Sequence, residues 1–97
     1  MVNRIEFSGL VADVEPMRMT PAGVPTRRFT VTHESEQMEA GLPRRVTCSL
    51  RVVALGEVAL AASRLEPGTP VELSGFLARA SHRSEWPVLH ATQLILN

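Results

Sequence analysis

Lysine is absent from this 97-residue sequence, and cysteine and tryptophan each occur once. The single cysteine, Cys48, excludes an internal disulfide and fits a reducing cytoplasm. No apolar run approaches the roughly 18 residues that a membrane-spanning helix needs, and the first residues lack the basic start and apolar stretch of a secretory signal. We therefore expect a cytoplasmic protein without a membrane span, folded as one domain over residues 1–97.

Net charge is also lacking, because ten arginines balance ten acidic residues. Composition alone therefore does not indicate a nucleic-acid partner, although a neutral protein can still present one basic face. Arginines gather in the middle of the chain and near a late turn, whereas acidic residues gather at 13–15 and 34–39. The clustered arginines are Arg27, Arg28, Arg44, Arg45, Arg51, Arg79 and Arg83. They form either a basic face or ordinary solvated charges, and the sequence leaves both interpretations open.

Apolar and polar residues alternate in five segments, which is the period-two pattern of β-strands. The segments lie at about 3–14, 28–32, 46–52, 70–80 and 86–96. Helix-forming residues at 57–65 separate the third segment from the fourth and end before Pro67 and Gly68. Five strands with a short helix after the third predict an all-β fold, a five-stranded OB-fold barrel.

Several residues inside these segments have a predicted structural role. Gly9 and Gly75 lie within strands, where a small barrel needs a bend. Residues 20–25 are expected to turn, 34–43 to form a loop, and 81–85 to form a polar hairpin tip. Cys48 has the parity of a buried strand residue. Phe76 is opposite in parity to Leu73 unless Gly75 marks a bulge, so it is either an exposed contact residue or part of the core.

Catalysis has little support in the sequence. His33, His82 and His90 are dispersed, and no zinc-type spacing joins them to Cys48. A phosphate-binding glycine loop and a telling pair of carboxylates are both missing. A thiol nucleophile would need a histidine close to it in space, which makes an enzyme a remote alternative. We expect a non-enzyme without metal or cofactor.

The residues resemble the bacterial single-stranded-DNA-binding OB-fold family. Residues 3–9, the turn at 20–25 and Phe29 are similar to the family as a whole. Further segments are similar to one branch, the PriB family of primosomal replication proteins. They are His33-Glu34-Ser35, Glu39-Ala40-Gly41, the Cys48 strand, Ser74-Gly75-Phe76 and Val88-Leu89-His90-Ala91. The sequence also ends after the fifth strand, without the long Gly/Pro-rich acidic tail of other family members.

The resemblance covers nearly the whole chain and implies a homodimer that binds single-stranded DNA and assists the replication-restart helicase, a PriA-like enzyme, at stalled forks. A loader protein is a further partner that the resemblance leaves open. The main alternative is a protein–protein adaptor for the helicase with weak DNA binding. A single-stranded-DNA-binding protein of general type is more remote.

The sequence departs from strongly DNA-binding family members, which carry lysines on the late hairpin and aromatic residues near the third strand. Here residues 42–47 include no aromatic, and arginines with a histidine replace the lysines. Arginine retains the charge and can lie flat on a base. Leucine and threonine cannot replace aromatic stacking, which contributes roughly 1–3 kcal/mol per base.

The candidate DNA contacts come from the basic clusters, the loops and the single tryptophan. The residues of the polar hairpin have no role in the core and are free to contact DNA. Adjacent strand residues such as Arg44 and Arg45 point to opposite faces, so at most one of the two meets DNA. The sequence leaves three roles open for Trp86, which are stacking on a base, capping the barrel end and lying in a dimer contact. The candidates are Arg18, Arg27, Arg44, Arg45, Arg79, His82, Arg83 and Trp86. The strands carry more apolar side chains than a small barrel can enclose, among them Leu10, Val53 and Ile95. Apolar residues left on the surface predict a homodimer.

Overall fold

The chain forms six strands and one short helix in a computed structural model that describes residues 1–96. The strands are β1 (Ile5–Val14), β2 (Arg18–Met19), β3 (Pro25–Glu39), β4 (Leu42–Leu55), β5 (Pro70–Arg79) and β6 (Pro87–Leu96). The helix α1 spans Glu57–Ala61, between β4 and β5. No helix within residues 1–96 is long and apolar enough to cross a membrane.

Five of these strands close into a barrel. Their order is β1-β5-β6-β4-β3, and β1 pairs with β3 to complete the ring, while the two-residue β2 adds to β3 from outside. Neighbouring strands are antiparallel except for β4 and β6. The helix follows the third barrel strand, β4, so the predicted five-stranded OB-fold is confirmed.

Alternate residues of the strands fill the barrel. Phe29 and Val31 of β3 lie opposite Val52 and Leu50 of β4, and both β3 residues are buried. Complete burial of one such side chain contributes about 1.5–3 kcal/mol. Leu89 of β6 is fully buried in the same cluster. The period-two pattern in the sequence therefore identified the inward face of these strands correctly.

Two glycines allow neighbouring strands to approach each other closely. A Cβ atom at Gly9 would lie 2.1 Å from the Thr32 carbonyl oxygen, and one at Gly75 would lie 1.9 Å from the His90 carbonyl oxygen. The pairing of β5 with β6 also shifts register between Ser74 and Gly75. Any larger residue would push the strands apart, which is the physical reason for glycine at both predicted bends.

The acidic stretch after the second predicted strand is not a loop. It continues β3 to Glu39 and pairs with β4 throughout, the last pair being Glu39 with Leu42. The reversal needs only Ala40 and Gly41, which have positive φ angles of 53° and 78°, as a two-residue hairpin turn requires. We call the paired segments His33–Glu39 and Leu42–Cys48, with their turn, the arm. It extends past Thr32, the last β3 residue that pairs with β1.

The arm overturns the prediction that Cys48 is buried. Cys48 has the inward parity, but it pairs with His33 beyond the closed part of the barrel and is exposed. The prediction that Val53 is exposed is wrong as well, because only 5% of its surface is accessible. Its cross-strand partners are Arg28 and His90, whose longer side chains flank it. Parity indicates the face of a strand but not whether another element covers that face.

Element ends differ from the predicted ones by a few residues. β1 begins at Ile5 rather than at Asn3, because the side chain of Asn3, and not its backbone, makes the hydrogen bonds to β5. Asn3 Nδ2 donates to the Leu77 carbonyl oxygen at 2.7 Å, and the Leu77 amide donates to Asn3 Oδ1 at 2.9 Å. The helix ends at Ala61, although Leu65 is still buried against the core.

Candidate nucleic-acid interface

The side of the β3–β4 sheet that faces away from the core carries polar and basic residues. Thr30 lies opposite Arg51, and Thr32 lies opposite Ser49. All four face away from the core, because their neighbours Val31, Leu50 and Val52 face inward. We call this surface of β3, β4, β6 and β5 the outer face. Arg51 was not among the candidate residues, although its alternation with Leu50 and Val52 was the signal that places it here.

On the other side of β4, the outer face continues across β6 and β5. His90 lies between Val53 of β4 and Phe76 of β5. The next pair on this face toward the late turn is Val88 with Ala78. The alternatives left open for Phe76 are resolved in favour of exposure, because 41% of its surface is accessible. Phe76 therefore belongs to the outer face rather than to the core.

Residues 80–86 connect β5 to β6 over the same surface, and together with Arg79, the last residue of β5, we call them the late loop. The Ala80 amide donates to the Trp86 carbonyl oxygen at 3.0 Å and closes the loop at its base. Arg79, His82 and Arg83 are exposed. Trp86 comes immediately before β6 and is 80% exposed. A polar, solvent-facing loop of this kind is available for contact with a charged ligand.

Trp86 and Arg51 line the same groove. This groove, of about 370 Å³, also includes Ser49 and Val88. A second groove is lined by Arg51 and Arg28 and also by the acidic residues Asp13 and Glu15. Arg51 thus lies between the indole of Trp86 and the second cation, Arg28. The arrangement offers a ring for stacking beside guanidinium groups for phosphate, which is the combination that single-stranded nucleic-acid sites use.

The remaining predicted contacts lie elsewhere. Arg18 is exposed on β2, paired with Thr26. Arg27 faces the barrel end, where its Nη2 donates to the Leu65 carbonyl oxygen at 3.4 Å and its Nε is buried without a protein partner in the described residues. Arg28, the neighbour of Arg27, is the exposed one. The structure therefore presents Arg28 rather than Arg27 to a ligand.

The arginines of the arm are held by acidic residues. Arg44 Nη1 lies 2.9 Å from Glu39 Oε1, and Arg45 pairs with Glu34. Arg44 and Arg45 are adjacent on β4 and so face opposite sides of the arm. Exposed pairs of this kind contribute only about 0.2–1 kcal/mol, but they leave the local charge near zero. Apart from these two, only Arg4 forms an ion pair within residues 1–96.

The histidine that a thiol nucleophile would need is present but occupied. His33 lies directly opposite Cys48 in the ladder. Its Nδ1 lies 2.6 Å from the Ser8 carbonyl oxygen and therefore donates to it, while Nε2 lies 2.7 Å from Ser35 Oγ. Gln37 in turn donates to that hydroxyl. With both ring nitrogens engaged, His33 provides no evident base for the thiol. No cluster of three metal-binding side chains occurs among residues 1–96.

Known proteins with similar sequences and structures fit this geometry. Residues 3–93 match the family model described as another single-strand binding protein family. The replication restart protein PriB of Bordetella pertussis is 42% identical over 92 residues, which cover 95% of this chain and 86% of that protein. The PriB of Vibrio cholerae serotype O1 is 40% identical over 97 residues, covering 97% of both proteins.

Solved structures give the same relationship. The protein PriB from Ralstonia solanacearum superposes with a TM-score of 0.90 at 33% identity, covering 100% of this chain and 99% of that one. The single-stranded DNA binding protein from Thermus aquaticus shares the fold, with a TM-score of 0.79 at 23% identity, over 99% of this chain and 50% of that one. The chain accordingly belongs to the PriB replication restart proteins, a branch of the single-strand binding protein family.

Proposed function

We propose that the protein binds single-stranded DNA on the outer face, in support of replication restart. The observation that carries this proposal is the groove that Trp86 and Arg51 line together. Arg28 extends the basic surface along β3, and the late loop adds Arg79 and Arg83. Arginine contacts hold the phosphates and contribute affinity without sequence preference, while a ring accepts any base.

The direct test is a titration of labelled oligo-dT and of a mixed sequence against the protein, read by anisotropy and by fluorescence. Trp86 is the only tryptophan, so its emission reports on this groove alone. We expect saturable binding of both oligonucleotides with similar affinity and with quenching of Trp86. Binding without any change in Trp86 emission would place the DNA elsewhere, and the absence of binding would reject the function.

Stimulation of the restart helicase is the second part of the proposal, and a specific observation favours an adaptor role for the arm. With Arg44 and Arg45 paired to glutamates, the tip of the arm presents apolar Met38 and Leu42, each 69% exposed. Exposed apolar side chains of this kind suit a protein partner better than a phosphate backbone.

The two roles separate in one assay of helicase unwinding with the protein added. Met38→Ser with Leu42→Ser is expected to abolish most of the stimulation while DNA binding stays unchanged. The matched control is Met19→Ser, which alters an exposed apolar residue outside the arm. Full stimulation by the arm variant would exclude the arm as the helicase contact.

We also propose that the protein is a homodimer joined at β1. Ile5–Leu10 pairs with β5 on one edge, while β3 reaches the other edge only from Leu10 onward, so residues 5–9 pair with one strand only within the described chain. Exposed strand edges attract another strand. Leu10 and Ile95, 49% and 55% exposed, add apolar surface on β1 and β6.

Sedimentation equilibrium tests the dimer. The parent protein is expected to sediment as a dimer at micromolar concentration, and Leu10→Glu is expected to shift it toward monomer because like charges meet across a two-fold axis. A parent that sediments as a monomer would reject the proposal.

A further inference from the structure

The outer face carries a second aromatic feature besides Trp86. The Phe76 ring lies on the His90 imidazole, with centroids 5.2 Å apart and planes inclined by 6°. Among the phenylalanine and tryptophan side chains, Phe29 is buried and Phe7 is half-buried against His33, whereas Phe76 and Trp86 are exposed. Phe76 is the partner of His90, which lies an even number of residues after Trp86, so the two exposed rings lie on the same face, on β5 and immediately before β6.

The backbone fixes the position of this pair. β5 approaches β6 so closely that a Cβ at Gly75 would lie within 1.9 Å of the His90 carbonyl oxygen. The register shift beside Gly75 makes Phe76 the direct partner of His90. The rings are thus held together before any ligand arrives, and preorganised groups lose less conformational freedom on binding.

The pair is aligned with the proposed DNA surface in two directions. Across the sheet, the partners run from Phe76 to His90, Val53 and Arg28. Along β6, His90 is four residues after Trp86, a separation of about 13 Å at the rise of a strand. That length accommodates about four nucleotides of a stacked strand and fewer of an extended one. Small apolar side chains, Ala78 and Val88, lie between the two rings.

We propose that Phe76 and His90 form a second base-stacking subsite for one single strand, which runs along β6 from Trp86 past Arg51. This subsite rests on the proposed DNA-binding function. Its ligand is a nucleobase of any identity, because every base has a π-face. A groove beside the pair is lined by Leu55 and Val58, together with Glu57.

Oligonucleotide length tests the subsite. An oligo-dT of about two nucleotides is too short to span from the Trp86 groove to Phe76, whereas one of about twelve spans both. Phe76→Leu keeps an apolar side chain opposite His90 but removes the ring. We expect this variant to bind the long oligonucleotide about fivefold more weakly and the short one as the parent does. Leu60→Ala, an exposed residue of α1, is the matched control and is expected to bind both lengths like the parent.

Photochemical cross-linking provides a measurement on the unaltered protein. Long oligonucleotides containing 5-iododeoxyuridine are expected to cross-link to Phe76 or His90, and short ones only to Trp86. If the parent binds the long oligonucleotide, but Phe76→Leu binds it equally well and neither ring cross-links, the subsite is rejected and the DNA-binding function stands. If the parent binds no oligonucleotide, both are rejected. Circular dichroism of Phe76→Leu confirms the fold, and cross-linking of the parent decides the question if that variant unfolds.

Discussion

On the outer face and the late loop, Arg28, Arg51, Arg79 and Arg83 have no carboxylate within ion-pair distance among residues 1–96. On the arm, Arg44 and Arg45 are each held by a glutamate from the facing strand. Both regions belong to the same sheet and contain adjacent or nearly adjacent arginines, yet only one of them presents unpaired positive charge. A net charge of zero therefore conceals a division of the surface, and the pairing of each cation matters more than the number of cations.

Removing the two side chains that line the groove between β4 and the late loop is expected to cause the largest loss of DNA affinity. Arg51→Ala with Trp86→Ala eliminates one guanidinium and one stacking ring, and should weaken binding of oligo-dT by about 2 kcal/mol, roughly 30-fold. Fluorescence anisotropy with labelled oligo-dT measures the change, and thermal unfolding verifies the barrel. A loss below about threefold would show that the outer face is no more important than the arm.

The late loop should give the next largest effect. Arg79→Ala, His82→Ala and Arg83→Ala together remove two formal charges from a loop, so the barrel should remain folded. We expect about tenfold weaker binding, equal for oligo-dT and a mixed sequence, since phosphate contacts carry no sequence information. A loss confined to one sequence would mean that the loop reads bases instead.

Salt dependence sharpens the comparison by counting contacts. Single-stranded DNA gives a slope of about −0.7 per phosphate contact in a log–log plot of the association constant against salt. Four unpaired arginines predict a slope of about −3, which Arg51→Ala should make shallower by about 0.7. Titrations at several salt concentrations measure both slopes. A slope near zero, or as steep as about −8, would contradict the contact set.

The arm variants should have the smallest effect. Arg44→Ala and Arg45→Ala each remove a cation that is already neutralised, so oligo-dT affinity should change by less than about twofold. Glu34→Gln offers the reverse test, because it releases Arg45 and should strengthen binding by about twofold. If either arginine variant weakened binding by about fivefold or more, the arm would belong to the DNA surface despite its ion pairs.

Local patterns were enough to predict the barrel. Alternation placed Phe29, Val31 and Val52 in the core, and a run of helix formers placed α1 between β4 and β5. The late loop was also predicted to be exposed, because its polar residues have no role in the core. These features depend on residues close together in the chain, whose periodicity and turn chemistry are visible without the fold.

The arm could not be predicted in the same way. Its acidic segment reads as a loop because glutamates alone are poor strand formers. The segment becomes a strand because Ala40 and Gly41 reverse the chain and bring Glu34 opposite the basic side of β4, where it pairs with Arg45. That compensation comes from a partner strand, which no property of the segment itself reveals.

The sequence by itself determined the fold class, the inward face of β3 and of the barrel part of β4, and the cations and rings available for a ligand. Tertiary structure alone decided which of these meet. Parallel pairing of β4 with β6 places Trp86 beside Arg51, and the close approach at Gly75 places Phe76 on His90. It also turned Arg27 toward the barrel end and left Cys48 uncovered. Each outcome depends on contacts between strands far apart in the sequence, and the period of one strand contains no information about its partner.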